Sequence, residues 1–233
     1  MKQYNLKLTP EISYIVGTLL GDGNNEKTWG KLRFGVKDYN FIIKIKNNLE
    51  KQFQKQLKIR KRKNNDSYLY HIEICSKFIS NNIDDKIKEI KKSNNKKVLC
   101  YFLEGCFDSE GSTDKKRLRI RFVNMNKEYI KIITLSLTKL KIKYFLKKDK
   151  NNLFWIRIYE KECIKFHKII HFSIKYKEEN LKINIQNFKN KIEYNKKKRK
   201  ETLFLKEKEW CKKYKLTRNQ YYRYKRLFYN SNK

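Results

Sequence analysis

The chain repeats itself. Residues 13–23, Ser-Tyr-Ile-Val-Gly-Thr-Leu-Leu-Gly-Asp-Gly, return as residues 101–111, Tyr-Phe-Leu-Glu-Gly-Cys-Phe-Asp-Ser-Glu-Gly, at an offset of 88. The same offset pairs Gly17 with Gly105, Asp22 with Glu110, Arg33 with Arg121, Phe34 with Phe122, Ile42 with Ile130 and Leu49 with Leu137. Further on the register becomes 84, aligning Leu69, Ile72 and Ile74 with Leu153, Ile156 and Ile158, so one connection between strands is shorter in the second copy. Such a chain is expected to fold as two equivalent units that complete each other's core. The expected division is 1–95 and 96–182, linked through Ser93–Lys97, with 183–233 left as a C-terminal extension.

Within each unit the apolar spacing switches between helix and strand periods. A helix over 10–21 starts at Pro10 beside a Thr9 cap and stops at the Gly21 to Gly23 punctuation. Lys31, Arg33, Gly35 and Lys37 then alternate with Leu32, Phe34 and Val36, the pattern of a half-buried strand with one basic face. A helix over 39–54 follows, then strands over 57–62 and 68–75 around a Lys63-Asn64-Asn65-Asp66 turn, then a helix reaching the low 90s. The second unit is read with helices at 99–110, 127–140 and 161–172 and strands at 116–124, 143–148 and 153–159. The fold class is α+β, a pseudo-two-fold pair of αββαββα units.

Small residues four apart, Gly17 and Gly21 in one helix and Gly105 and Ser109 in the other, form flat stripes on which two helix backbones can pack closely. The helix ends would then lie side by side, each carrying a carboxylate followed by glycine: Asp22 before Gly23 and Glu110 before Gly111. A carboxylate at a helix C-terminus opposes the helix dipole, and two of them repel each other. A cation relieves both costs. Hard oxygen ligands suit Mg²⁺, with Mn²⁺ as the alternative, and phosphodiester hydrolysis uses such a metal to activate water and stabilise the leaving oxygen.

Composition points to a polyanionic partner. The formal net charge is +35, and the eleven arginines are concentrated. Arg33, Arg60, Arg62, Arg117, Arg119, Arg121 and Arg157 fall in segments read as strands, while Arg199, Arg218, Arg223 and Arg226 lie in the C-terminal extension. Guanidinium groups on a sheet face can meet phosphates and guanine edges. Five cysteines show no C-x-x-C spacing and read as reduced, mostly buried small residues. With no apolar run approaching the ~18 residues of a membrane span and no signal-peptide pattern, an intracellular protein of cytoplasm or organelle, not secreted, is expected.

The segments Ile15-Val16-Gly17-Thr18-Leu19-Leu20-Gly21-Asp22-Gly23 and Leu103-Glu104-Gly105-Cys106-Phe107-Asp108-Ser109-Glu110-Gly111 resemble the two LAGLIDADG motifs of monomeric homing endonucleases, and residues 10 to about 180 resemble that family's body. The resemblance implies a monomer whose sheets form a saddle over double-stranded DNA, with Asp22 and Glu110 as catalytic metal ligands assisted by the backbone at Gly21 and Ser109. Family members commonly carry an amide residue followed by lysine at the end of the strand after the motif helix. Here one unit has Val36-Lys37 and the other Asn124-Met125, which leaves Lys37 and Asn124 as auxiliary catalytic candidates. DNA contacts are expected from Lys31, as a phosphate clamp, and from Arg33, Arg60, Arg62, Arg117, Arg119, Arg121, Arg157, Arg218 and Arg223.

The extension carries a basic connector, Lys196–Lys200, then two helix-like stretches, 202–214 and 218–229, around Lys215-Leu216-Thr217. Basic and aromatic residues crowd the second, as in a helix-turn-helix reader; a basic arm packed on the main body is the other reading. The expected activity is site-specific double-strand cleavage. The alternatives are an intron maturase acting on intron RNA, or a DNA-binding regulator on the same scaffold without cleavage. Met1 in place of a splicing Cys or Ser, and Asn232-Lys233 in place of a terminal His-Asn, favour a free-standing or intron-encoded gene over an intein.

Overall fold

A computed structural model describes residues 6–64 and 67–230 of the chain, which divides into two compact units, Met1–Asn184 and Ile185–Lys233. The first unit contains α1 (Pro10–Asp22), β1 (Gly23–Glu26), β2 (Lys31–Val36), α2 (Tyr39–Phe53), β3 (Arg60–Asn64), β4 (Ser67–Cys75) and α3 (Lys77–Lys92). It continues with α4 (Lys96–Ser109), β5 (Gly111–Thr113), β6 (Arg119–Asn124), α5 (Lys127–Lys139), β7 (Phe145–Lys148), β8 (Phe154–Tyr159) and α6 (Glu160–His167). Each half is αββαββα, and each sheet is antiparallel with the same order, β1-β2-β4-β3 and β5-β6-β8-β7.

Side-chain caps set the helix starts. Thr9 accepts from the Ile12 amide, Asp38 from Phe41, Ser76 from Ile79, Asn95 from Lys97 and Val98, and Asn126 from Tyr129. The two registers of the repeat are structural. Phe34 stands opposite Ile72 in one sheet and Phe122 opposite Ile156 in the other, all buried under the helices. The shortened connection is the last hairpin: Arg60 pairs with His71 in the first half, whereas Lys147 pairs with Trp155 in the second.

Several boundaries differ from expectation. Asn95 caps α4, so Lys96 and Lys97 are its first turn, not linker. β3 begins at Arg60 and β6 at Arg119; Arg117 therefore precedes its strand, in a turn where Asp114 accepts from the amides of Lys116 and Arg117. α6 ends at His167, and α7 (Lys175–Glu201) carries the basic Lys196–Lys200 segment as helix, not as a connector. Asn65 and Asp66, expected in a turn, lie outside the described residues. Of the cysteines, Cys106 and Cys163 are buried but Cys75 is exposed. Burial pushes the Cys163 thiol up to about 12.

The two motif helices are the centre of the first unit. A Cβ on Gly17 would lie 2.2 Å from the Phe102 carbonyl oxygen, and one on Gly105 would lie 2.3 Å from that of Tyr14, the reciprocal contact under the 88-residue offset. Backbone therefore meets backbone, and neither partner can rotate away. Gly17→Ala or Gly105→Ala should each destabilise the protein by about 1–3 kcal/mol, the usual range for overpacking. Thermal melting checks this, and wild-type melting temperatures in both variants would contradict the contact.

The Ile185–Lys233 unit contains the C-terminal part of α7, then α8 (Glu207–Tyr214) and α9 (Arg218–Asn230). α8 starts five residues later than the expected stretch because 202–204 turn. Trp210 is fully buried, donates to the Lys198 carbonyl at 3.1 Å and packs against Tyr214, Tyr221 and Tyr224. The turn contains no glycine, and Lys215 adopts the left-handed conformation there, with φ 51°. Gln220 and Thr217 then exchange capping bonds at the start of α9.

Candidate active site

The acids sit where the helix seam runs out. Asp22 is the last residue of α1, and Glu110 caps α4. At Gly21 a Cβ would lie 2.3 Å from Ser109 Oγ and 3.0 Å from Glu110 Cγ, so the missing side chain is what lets Glu110 lie against the last turn of α1. Both acids reach solvent, yet the surrounding protein strips enough water to raise their carboxyls above the usual range. For Glu110 the charge of Asp22 adds to that rise. The carbonyls of Gly21 and Ser109 belong to helix last turns, where backbone oxygens lack intrahelical partners.

A buried cation opposes the repulsion, and it was not singled out in the sequence. Lys177, in the first turn of α7, is 4% exposed and donates to the Asp108 carbonyl at 2.6 Å and that of Phe107 at 3.3 Å. It thus neutralises the carbonyl end of α4. Its charge lowers the carboxyls of Asp22 and Glu110 against their desolvation, while burial depresses its own ammonium. Asp108 was also missed. It is fully buried and accepts from Tyr14 Oη at 2.9 Å, the Ser173 amide at 2.8 Å and Ser173 Oγ at 2.6 Å, tying α1, α4 and the entry to α7 together. A readable signal existed: Ile174, Lys177, Leu181 and Ile185 are all buried, so Lys177 occupies an apolar-stripe position.

Of the auxiliary candidates, Lys37 is exposed just beyond β2, and Asn124 ends β6 with its side-chain oxygen accepting from the Asn126 amide at 2.7 Å. The sheet arginines divide unequally. Lys31 and Arg33 of β2 alternate with buried Leu32, Phe34 and Val36, and Arg60 and Arg62 lie on the edge strand β3. That face is not purely basic, because Arg33 pairs with Glu26 at 2.7 Å and with Glu73 at 3.4 Å, and Arg60 reaches Glu73 at 3.5 Å. In the other sheet Arg119 is held by Asp114, but Arg121 stands directly opposite Arg157. Residue 157 is the counterpart of Glu73. The buried Nε atoms of Arg121 and Arg157 have no hydrogen-bond partner, and like charges directly opposite each other destabilise a sheet. Arg157 also lies 5.5 Å from the Trp155 ring. In the second unit Arg218 is paired with Glu207 at 3.1 Å, and Arg223 is exposed.

Residues 97–171 match the LAGLIDADG-like domain family. The whole described first unit has the architecture of two-repeat homing endonucleases. I-DmoI in complex with DNA and Mn superposes with a TM-score of 0.56 at 21% identity, covering 70% of this chain and 97% of that one. I-WcaI bound to its DNA recognition sequence gives 0.55 at 19%, covering 76% and 88%. The chain has the LAGLIDADG fold. At these identities the likeness concerns fold alone. A full-length DUF199/WhiA protein of Thermatoga maritima is also similar in fold, at TM-score 0.55 and 15% identity over 99% of this chain and 94% of that one. An uncharacterized protein of Methanocaldococcus jannaschii is 32% identical over 65% of this chain, and a probable translation initiation factor IF-2 of the same organism is 29% identical over 73%. The matched regions span 62% and 16% of those relatives' lengths, so in the initiation factor a similar segment is carried inside a much longer protein.

The paired acids carry a stability cost that can be measured. In EDTA, Asp22→Asn should melt higher than the wild type, because it removes a desolvated charge facing Glu110. Mg²⁺ should raise the melting temperature of the wild type more than that of the variant. A variant that melts no higher in EDTA and responds equally to Mg²⁺ would contradict the electrostatic reading.

Proposed function

We propose that the chain is a site-specific double-strand DNA endonuclease hydrolysing phosphodiester bonds at Asp22 and Glu110. The observation that carries this reading is the carboxylate pair itself, duplicated with the repeat and near enough for the charge of Asp22 to raise the Glu110 carboxyl, where the bare Gly21 leaves room for the Glu110 side chain. A scaffold that only binds a polyanion gains nothing from a duplicated carboxylate pair.

The donor set fits a divalent cation: two hard carboxylates with raised proton affinity, plus the helix-end carbonyls of Gly21 and Ser109. Asp22 and Glu110 would hold Mg²⁺ or Mn²⁺ there, and the ion would supply positive charge for the phosphate and for activation of water. Lys177 holds the carbonyl end of α4 and offsets the acids' charge. Lys37 and Asn124 would order solvent at the strand ends, one in each half. Lys31, Arg33, Arg60, Arg62, Arg119, Arg121 and Arg157 would meet the duplex as a saddle, with Arg117 beside it. Arg218 and Arg223 of the second unit add a second reading element. The Arg121–Arg157 pair supports a polyanion on this face, since its repulsion is relieved when a phosphate or guanine edge lies between the guanidinium groups.

Selection from a mixture of randomised duplex DNA and structured RNA, performed in Ca²⁺ and followed by exchange into Mg²⁺ or Mn²⁺, tests partner and activity together. Enrichment of one duplex sequence that is then cut is the expected result. Preferential retention of RNA, or a duplex consensus that stays intact in both metals, would replace the endonuclease with the maturase or the regulator.

A further inference from the structure

Two of the three histidines in the chain converge on one carboxylate at the entry to α7. His167 Nε2 lies 2.8 Å from Glu178 Oε1, and His171 Nδ1 lies 3.8 Å from the same oxygen. The three ligand atoms all fall within 4.8 Å of one another. Among the described residues this is the one group of three or more His, Cys, Asp or Glu side chains close enough to share an ion. We propose that His167, His171 and Glu178 form a Zn²⁺ site, distinct from the acid pair, that staples α6 to α7.

The chemistry selects the metal. Two imidazoles and one carboxylate are a borderline nitrogen and oxygen set suited to Zn²⁺ and poorly suited to Mg²⁺, which prefers oxygen alone. Tetrahedral ligands at ~2.0–2.1 Å from zinc stand about 3.3 Å apart, inside the observed range of separations. His171 is exposed in the connection between the helices and can close the remaining gap, whereas His167 and Glu178 are half-buried. The carboxylate is already oriented, because Glu178 Oε2 accepts from the Phe172 amide at 3.1 Å. Lys182, at 3.1 Å from Glu178 Oε1, occupies the cationic role that the metal would take over. Water completes the set.

The placement gives the site a consequence for the acids. Glu178 follows Lys177 in sequence, and Ser173, between His171 and Glu178, binds Asp108 of α4. A metal joining His167 of α6 to Glu178 of α7 would fix the turn that delivers Lys177 to the end of α4. Metal affinity here becomes stability of that turn.

The test is calorimetric titration of the full chain with Zn²⁺ in excess Mg²⁺, repeated with His171→Ala, Glu178→Gln and the double variant Asp22→Asn/Glu110→Gln, together with Co²⁺ absorption spectra. One Zn²⁺ per chain is expected in the wild type and in the double acid variant, with tetrahedral Co²⁺ bands. Loss of His171 or Glu178 should weaken binding by at least the about 10- to 100-fold that loss of an outer-shell partner costs a metal site. His171 is exposed, so its replacement tests ligation without threatening the fold. Absence of stoichiometric Zn²⁺ binding, unchanged affinity in His171→Ala, or loss of the site in the double acid variant would overturn the assignment.

Discussion

Replacing Asp22 by Asn or Glu110 by Gln should abolish double-strand cleavage of the selected DNA while leaving its specific binding intact. Each substitution keeps the shape of the side chain and removes one of two anionic ligands. Losing even an outer-shell partner costs a metal site about 10- to 100-fold, so a loss of at least about 100-fold in cleavage rate is expected for a direct ligand. Affinity should hold because it comes from basic residues on the sheets, through phosphate charge and base contacts. Plasmid cleavage in Mg²⁺ measured beside gel shift in Ca²⁺ separates the two effects. Full double-strand cleavage by either variant would remove that residue from the chemistry. A parallel loss of binding would mean that the acids are structural.

Arg157→Glu should move stability and binding in opposite directions. The substitution gives β8 the acid that β4 has at the equivalent position, where Glu73 pairs with Arg33 at 3.4 Å. It converts the Arg121–Arg157 repulsion into an ion pair, a gain of up to about 1 kcal/mol for a cross-strand pair. The same change removes a guanidinium from the proposed DNA face and adds an anion there. A specific arginine contact is worth about 1–3 kcal/mol, so DNA affinity should fall about 5- to 150-fold, with a shallower salt dependence. Melting curves and salt-dependent gel shifts report the two quantities independently. A variant that is both no more stable and undiminished in affinity would place the DNA elsewhere.

The duplicated frame was legible because repetition at a fixed offset and helix or strand periodicity reinforce each other. The motif helices, the small-residue seam and the Phe34 and Phe122 strands all follow from it. Three kinds of feature were not. The boundaries of β3 and β6 depend on hairpin geometry: Asp114 gathers the amides of Lys116 and Arg117 into a turn, although Arg117 continues the alternation on paper. The length of α7 was hidden by a lysine- and asparagine-rich composition that leaves little polar contrast between its faces. Asp108 looks like a surface charge, and only tertiary contact shows it buried with its partners, while the stripe position of Lys177 becomes readable only once α7 is known to run through it. Glu73 was overlooked for a related reason. The basic face was read along β2 alone, while its neutralising acid comes from the adjacent strand.

The most direct test of the central claim is anomalous diffraction from the protein bound to its selected duplex in Mn²⁺. The expected result is manganese density at the carboxylates of Asp22 and Glu110, next to the phosphate at the cut position. Manganese bound elsewhere, or a duplex seated on the sheets with its phosphates remote from both acids, would contradict it.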